Sequence, residues 1–178
     1  MAHRISQVMT KTGDQGQTGL ADGSWVKKNS LRIQAIGDID ELNSILGLAV
    51  SFQPPETVSN VLLQIQHQLF AVGGELSSPG SKKVTEEMVG ILESYIIAFN
   101  GDLSPLDGFV LPGGTVSAAE IQVARSVCRR SERSIVALDA TEQVSPDLLR
   151  YVNRLSDLLF ILARETNRSA GCQESLFR

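Results

Sequence analysis

Arg125, Arg129 and Arg133 recur every four residues, with Arg130 and Glu132 beside them. On a helix this spacing stacks the three guanidiniums on one side, roughly 80–160° from the apolar stripe of Ile121, Ala124, Cys128 and Ile135. Like charges in such a row repel unless anions sit among them. Arg carries a planar fork suited to phosphate oxygens, so one reading is a cradle for a polyphosphate. The competing reading is a solvated helix face with Glu132 as the partner. Near the start of the chain, Gly13, Gly16 and Gly19 could wrap backbone N–H groups around phosphate, and Lys11 and Lys28 flank them. That stretch lacks the Gly-Lys-Ser/Thr ending of a P-loop, and no strand precedes it as a dinucleotide fingerprint requires. A flexible tail is the alternative there.

Gly37-Asp38-Ile39-Asp40-Glu41-Leu42-Asn43-Ser44 puts Asp40 and Ser44 on one helical face and Asp38 and Glu41 near another. Acids so placed also serve the ordinary preference of a helix N-terminus. A di-metal carboxylate bundle needs Glu-x-x-His motifs, and the nearest match, Gln64-Ile-Gln-His67, has no acid. The two cysteines, Cys128 and Cys172, make no disulfide framework and no metal-ligand cluster, and two histidines, His3 and His67, remove most His-based metal and triad chemistries. A net charge of −4 argues against a protein that coats nucleic acid or anionic lipid. No apolar run approaches the ~20 residues of a membrane span. The opening residues lack a hydrophobic signal region, so a cytoplasmic protein is expected.

The elements that position these residues read as helices nearly throughout after residue 30. A length of 178 residues suits one domain. The expected division is an N-terminal segment over 1–30, a helical bundle over 31–167 and a tail over 168–178. Ile39, Leu42, Leu46, Ala49 and Val50 mark a first helix, from about Leu31 to Phe52; Val58, Val61, Leu62, Ile65, Leu69, Val72 and Leu76 mark a second. Thr85 with Glu86 and Glu87 predicts the start of a third helix, which stops at Asn100-Gly101. Ser117-Ala-Ala-Glu120 reads as a capping box starting a fourth, to about Leu138. Ser145-Pro146 starts a fifth, and Asn153 lies about 140° off its core stripe. The fifth helix is apolar almost all round, so it needs a second surface, another subunit or a larger core. The fold class expected is an all-α five-helix bundle with a non-helical, Gly-rich N-terminal segment. Residues 10–24 and 100–116 resist the helical pattern, and long loops of this kind are candidate sites.

Thr10-Lys-Thr-Gly-Asp-Gln-Gly-Gln-Thr-Gly, Asp40-Glu-Leu-Asn-Ser-Ile-Leu-Gly, Phe109-Val-Leu-Pro-Gly-Gly, Ala124-Arg-Ser-Val-Cys-Arg-Arg-Ser-Glu-Arg and Tyr151-Val-Asn-Arg-Leu-Ser-Asp-Leu-Leu-Phe occur in this order. Together they resemble the PduO-type ATP:cob(I)alamin adenosyltransferases, from about residue 8 to residue 167. The resemblance implies a homotrimer with active sites between subunits, and transfer of the 5′-deoxyadenosyl group of ATP to cob(I)alamin with release of triphosphate. It places Thr10, Lys11, Thr12, Gly13, Thr18 and Gly19 around the ATP, with Lys28 on the phosphates. Arg129, Arg130, Ser131, Glu132 and Arg133 would hold the nucleotide from the fourth helix, and Asn153 from the fifth. Asp40 would pair with Arg125 across the subunit interface. Phe109 would pack beneath the corrin and leave the lower axial position of cobalt empty. Two positions depart from the commonest pattern, Ser131 for Ala and Asp38 for Thr or Glu; Asp38 would add an acid near the Arg125 partner.

Co(I) is itself the nucleophile of that reaction, so a chain poor in His and Cys is suited to it. The protein would aim C5′ at cobalt and stabilise charge on the departing triphosphate, with Mg²⁺ sharing that charge. An empty lower face makes cob(II)alamin four-coordinate and easier to reduce. Such an enzyme would also draw electrons from a reductase and supply an adenosylcobalamin-dependent enzyme. The reading from another class is a non-catalytic helical trimer that binds ATP or a corrinoid as carrier or sensor; a structural bundle with solvated arginines is a third.

Overall fold

Five helices carry the described residues, 11–177, of the computed structural model: α1 Leu31–Ser51, α2 Glu56–Leu76, α3 Glu86–Asn100, α4 Val116–Asp139 and α5 Pro146–Ser169. Their starts follow from side-chain caps. The hydroxyls of Ser30, Thr85 and Ser145 accept from the backbone N–H three residues on, and Pro146 takes the first helical position of α5. The expected capping box of α4 is not used. Thr115 caps the helix instead, accepting from Ala118 N at 3.2 Å. Ser117 is buried and donates to the Ala49 carbonyl at 3.1 Å, tying the start of α4 to the end of α1.

Leucine and β-branched residues at 3-and-4 spacing make one core. α1 packs on α2 and α4, and α5 packs on α2, α3 and α4. The all-round apolar character of α5 is therefore met largely inside the chain, by three neighbouring helices. Tyr151, fully buried on α5, donates its hydroxyl to Gln68 Oε1 of α2 at 2.8 Å, so the core carries no unpaired phenol.

The two ends of the bundle differ. At one end Arg32, 5% exposed, donates to Glu142 and to the Leu76 carbonyl that ends α2. Buried Glu75 accepts there from Lys83 N, Val84 N and Ser145 Oγ. The Gly-rich segment meets this end as a hairpin, β1 Gln17–Gly19 paired antiparallel with β2 Trp25–Lys27, with Ala21 N donating to Ser77 O at 2.8 Å. At the other end, the loop between α3 and α4 holds β3 Phe109–Val110, which pairs antiparallel with β4 Leu176–Phe177. The residues after α5, expected as a tail, thus return to the aromatic loop. No helix among the described residues is long and apolar enough to cross a membrane.

Candidate active site

α3, α4 and α5 leave a groove of about 710 Å³ between them. α4 contributes Arg125 and Arg129, α5 contributes Arg154, Asp157 and Phe160, and α3 lines the far wall with Ile96 and Ile97. Arg129 is exposed and makes no hydrogen bond or ion pair among the described residues. Arg125 is half-buried, donates to Gln122 Oε1 at 2.8 Å and lies 5.9 Å over the Phe160 ring. Partial burial, and then the like charge of Arg129, hold its guanidinium pKa below the ordinary value. Of the three arginines on the groove, Arg154 pairs with Glu93 and Asp157, whereas Arg125 and Arg129 have no acid bonded to them among the described residues, the condition that an anion relieves. Asn153 Nδ2 donates to Glu132 Oε1 at 2.9 Å, joining α5 to α4 beside them.

The arginine row does not act as one surface. Arg130 turns toward α1, where it pairs with Asp38 at 3.3 Å and with Glu41. Arg133, exposed, shares with Arg130 a separate hollow that reaches Pro112 and Val123. Ser131 is fully buried, its hydroxyl 3.0 Å from the carbonyls of Val127 and Asp38. Two residues expected on the nucleotide, Arg130 and Ser131, thus serve the α1–α4 contact within this chain. The 100° step between neighbouring residues carries them off the groove. The carboxylate of Asp38, the acid expected near the Arg125 partner, is taken by Arg130 and by Ser134 Oγ, the latter at 2.5 Å. Cys128 is buried behind the groove and donates to the Val152 carbonyl at 3.4 Å; burial raises its thiol pKa well above the usual range, so it is no nucleophile.

Asp40 sits on a different face. It is exposed, forms no ion pair among the described residues, and borders a hollow with Asn43, Leu63, His67 and Phe70. Phe70 is 75% exposed. Asn43 Oδ1 is buried there and accepts no hydrogen bond among the described residues. Arg125 and Asp40 therefore do not meet within one chain.

Thr10 lies outside the described residues. Lys11 takes a left-handed backbone conformation (φ 59°) and its carbonyl accepts from Asp14 N at 3.5 Å; a second turn closes from Gly16 N to Gly13 O at 3.3 Å. Gly13 admits the Lys28 ammonium closely: a β-carbon there would lie 3.0 Å from Lys28 Nζ. Gly13 and Lys28 are thus adjacent, with Thr18 and Gly19 in β1 and Thr12 exposed nearby. Lys11, Gly13, Thr18, Gly19 and Lys28 make no hydrogen bond or ion pair to α4 or α5 among the described residues.

Phe109 is 82% exposed at the other end, so no packing holds its ring. Backbone holds it instead: β3 pairs with β4, and Leu111 N donates to Ser175 O at 2.8 Å. Beyond it, Asn167 of α5 accepts from Thr115 N and donates to Gly113 O, both at 3.0 Å. Gly114 has φ +102°, and a β-carbon there would fall 2.2 Å from Asn167 Oδ1, so only glycine fits. Arg164 donates to Ser104 O and to Glu174. Asn167, Arg164 and Glu174 were not expected from the sequence. The paired glycines of Phe-Val-Leu-Pro-Gly-Gly were the one signal that something approaches the backbone here.

Among the described residues, helices without an activated nucleophile, a groove with two cations unbonded to any acid and an aromatic presented on a loop define an all-α protein suited to an extended anion beside an apolar ligand. The sequence profile described as cobalamin adenosyltransferase matches residues 8–166, and the chain belongs to that family. It is 49% identical over 180 residues to a cobalamin adenosyltransferase of Cupriavidus metallidurans, covering 100% of this chain and 97% of the other. It is 45% identical over 172 residues to a corrinoid adenosyltransferase of Bacillus subtilis, covering 93% and 89%. A solved structure of a Phe-to-Ala variant of a PduO-type ATP:corrinoid adenosyltransferase from Lactobacillus reuteri, complexed with cobalamin and ATP, is similar with a TM-score of 0.91. The two are 36% identical, over 97% of this chain and 99% of that one.

Proposed function

We infer that this chain transfers the 5′-deoxyadenosyl group of ATP to the cobalt of cob(I)alamin, giving adenosylcobalamin and triphosphate. The cobalt lone pair forms the bond to C5′, the C5′–O bond breaks, and its electrons leave on the triphosphate, so no protein nucleophile is needed. The carrying observation is Arg129 beside Arg125, two cations in one groove with no acid bonded to either. They stabilise negative charge as it gathers on the triphosphate, in a partly desolvated site. Glu132 and Asn153, already bonded to each other, hold the nucleoside end, and Lys11, Thr12, Gly13 and Lys28 wrap the phosphates. Arg133 adds charge at the rim. Phe109 covers the lower face of the corrin and keeps an axial ligand from the cobalt of cob(II)alamin, which makes its reduction easier.

No three His, Cys, Asp or Glu side chains converge among the described residues, so Mg²⁺ would be carried on phosphate oxygens and would neutralise part of their charge. The enzyme works in the cytoplasm, receives electrons from a reductase and supplies an adenosylcobalamin-dependent enzyme. Anaerobic incubation with ATP and chemically reduced cobalamin is expected to yield adenosylcobalamin. Tight binding of either ligand without turnover would contradict the reading and leave a carrier or sensor.

The assembly is a homotrimer. The face with Asp40, the unpaired Asn43 Oδ1 and exposed Phe70 offers acceptors and an apolar anchor, and the groove with Arg125, Arg129 and exposed Ile97 offers the complement. Pairing of Asp40 with Arg125 of a neighbouring subunit also brings the Gly-rich segment of one chain toward the arginines of another. Asp40→Ala strands that arginine, at a cost of about 2–5 kcal/mol in association. Its trimer mass in light scattering is expected to fall on dilution, and its activity to fall with it. A wild-type monomer with full activity at micromolar concentration would contradict the shared site.

A further inference from the structure

The exposed ring of Phe109 depends on a two-residue strand, and that strand takes its register from β4. β4 has few anchors of its own. Among the described residues, the only side-chain hydrogen bond joining residues 172–177 to the helices is that of Glu174 to Arg164, whose Nε lies 3.0 and 3.1 Å from the two carboxylate oxygens. The same guanidinium donates through Nη2 to Ser104 O at 2.9 Å, on the approach to β3. Arg164 is 6% exposed and rests 5.9 Å over the Phe160 ring, so its own position on α5 is well fixed. Around this contact the loop, α5 and the C-terminal residues border a half-open pocket of about 320 Å³, lined in part by Leu103, Leu106 and Leu176. Apolar packing therefore does not fill the space beneath the strand pair. Polar contacts from one arginine span it.

We propose that Arg164, through its joint hold on Ser104 and Glu174, is a positioning residue for Phe109, and that it sets how completely the aromatic closes the lower face of the corrin. The proposal rests on the shielding role given to Phe109 above. A buried guanidinium that grips both sides of a strand pair fixes the distance of that pair from α5. Without the grip, β3 and β4 stay paired but move as a unit over the pocket. The Glu174 variants leave the nucleotide groove in place; Arg164 itself also rests on the Phe160 ring, which lines that groove beneath Arg125.

The test compares Glu174→Ala, Glu174→Gln, Arg164→Lys and Phe109→Ala with wild type, each loaded with ATP and cob(II)alamin. Magnetic-resonance and absorption spectra read the fraction of four-coordinate Co(II), and circular dichroism checks folding. Glu174→Ala is expected to convert part of the four-coordinate Co(II) to five-coordinate, with Glu174→Gln between it and wild type. Turnover started from Co(II) should fall roughly tenfold, the factor carried by one charge-assisted hydrogen bond, with KM for ATP nearly constant. A wild-type four-coordinate fraction in the Glu174 and Arg164 variants, with loss in Phe109→Ala, overturns the positioning role and leaves the shielding role intact. A wild-type spectrum in Phe109→Ala overturns the shielding role and this proposal with it. Loss of the four-coordinate fraction together with a large rise in KM for ATP marks general damage and also overturns it. Should Glu174→Ala fail to fold, Glu174→Gln and Arg164→Lys decide on the same readings.

Discussion

Arg129→Ala is expected to lower kcat/KM for ATP at least about tenfold, because a charge-assisted hydrogen bond to the departing triphosphate contributes roughly 1.5–3 kcal/mol. The substitution is unusually clean. Arg129 has no bonded partner among the described residues and is exposed, so its removal leaves no buried group unsatisfied. Folding stability should change by no more than about 0.5 kcal/mol. Relief of its repulsion toward Arg125 acts in the same favourable direction. The measurement is steady-state turnover with supplied Co(I) at varied ATP, beside a thermal melt of the same preparation. Unchanged ATP kinetics in a folded variant would remove the polyphosphate cradle from the groove.

Phe109→Ala separates mechanism from binding. The ring is exposed and packs on nothing in the core, so its truncation should cost the fold little. If the ring closes the lower face of the corrin, the variant admits water and cob(II)alamin becomes five-coordinate. Reduction to Co(I) is then harder, and kcat measured from Co(II) should fall by more than about tenfold, a barrier rise above ~1.4 kcal/mol. KM for ATP should stay nearly constant, since the nucleotide contacts proposed above lie on α4, α5 and the Gly-rich segment. The loss should be milder when cobalamin is supplied already reduced. Identical five-coordinate spectra for wild type and variant with ATP bound would sink the shielding role.

The helices were legible because their signals are local. Ser145-Pro146 and Thr85 cap where they were expected to, and the 3-and-4 spacing of leucines names most of the buried stripe. Ser117 misled because a hydroxyl three residues before a Glu fits a capping box equally well whether it caps or bonds a neighbouring helix; the Ala49 carbonyl decided it. The division of the arginine row was hidden for a related reason. Angular arithmetic places side chains on a helix, but only tertiary packing says which acids wait opposite, and Asp38 with Glu41 claimed Arg130. The pairing of Phe109 with Phe177 joins segments far apart in the chain, each too short to show a period of two. Family motifs pointed to Phe109 without indicating what holds it.

Asp40 and Arg125 lie on two different faces of the same chain, which gives any contact between them a direction. Such a contact joins unlike patches, so every added copy leaves one free acceptor face and one free donor face. Growth then stops only when the rotation between copies closes on itself; a small error in that angle would give open filaments. The same polarity makes copies mutually dependent. A chain crippled at Asp40 still offers an intact arginine groove, and a chain crippled at Arg129 still offers an intact acidic face. Mixed rings of two inactive parents would therefore contain some junctions built from their two sound halves.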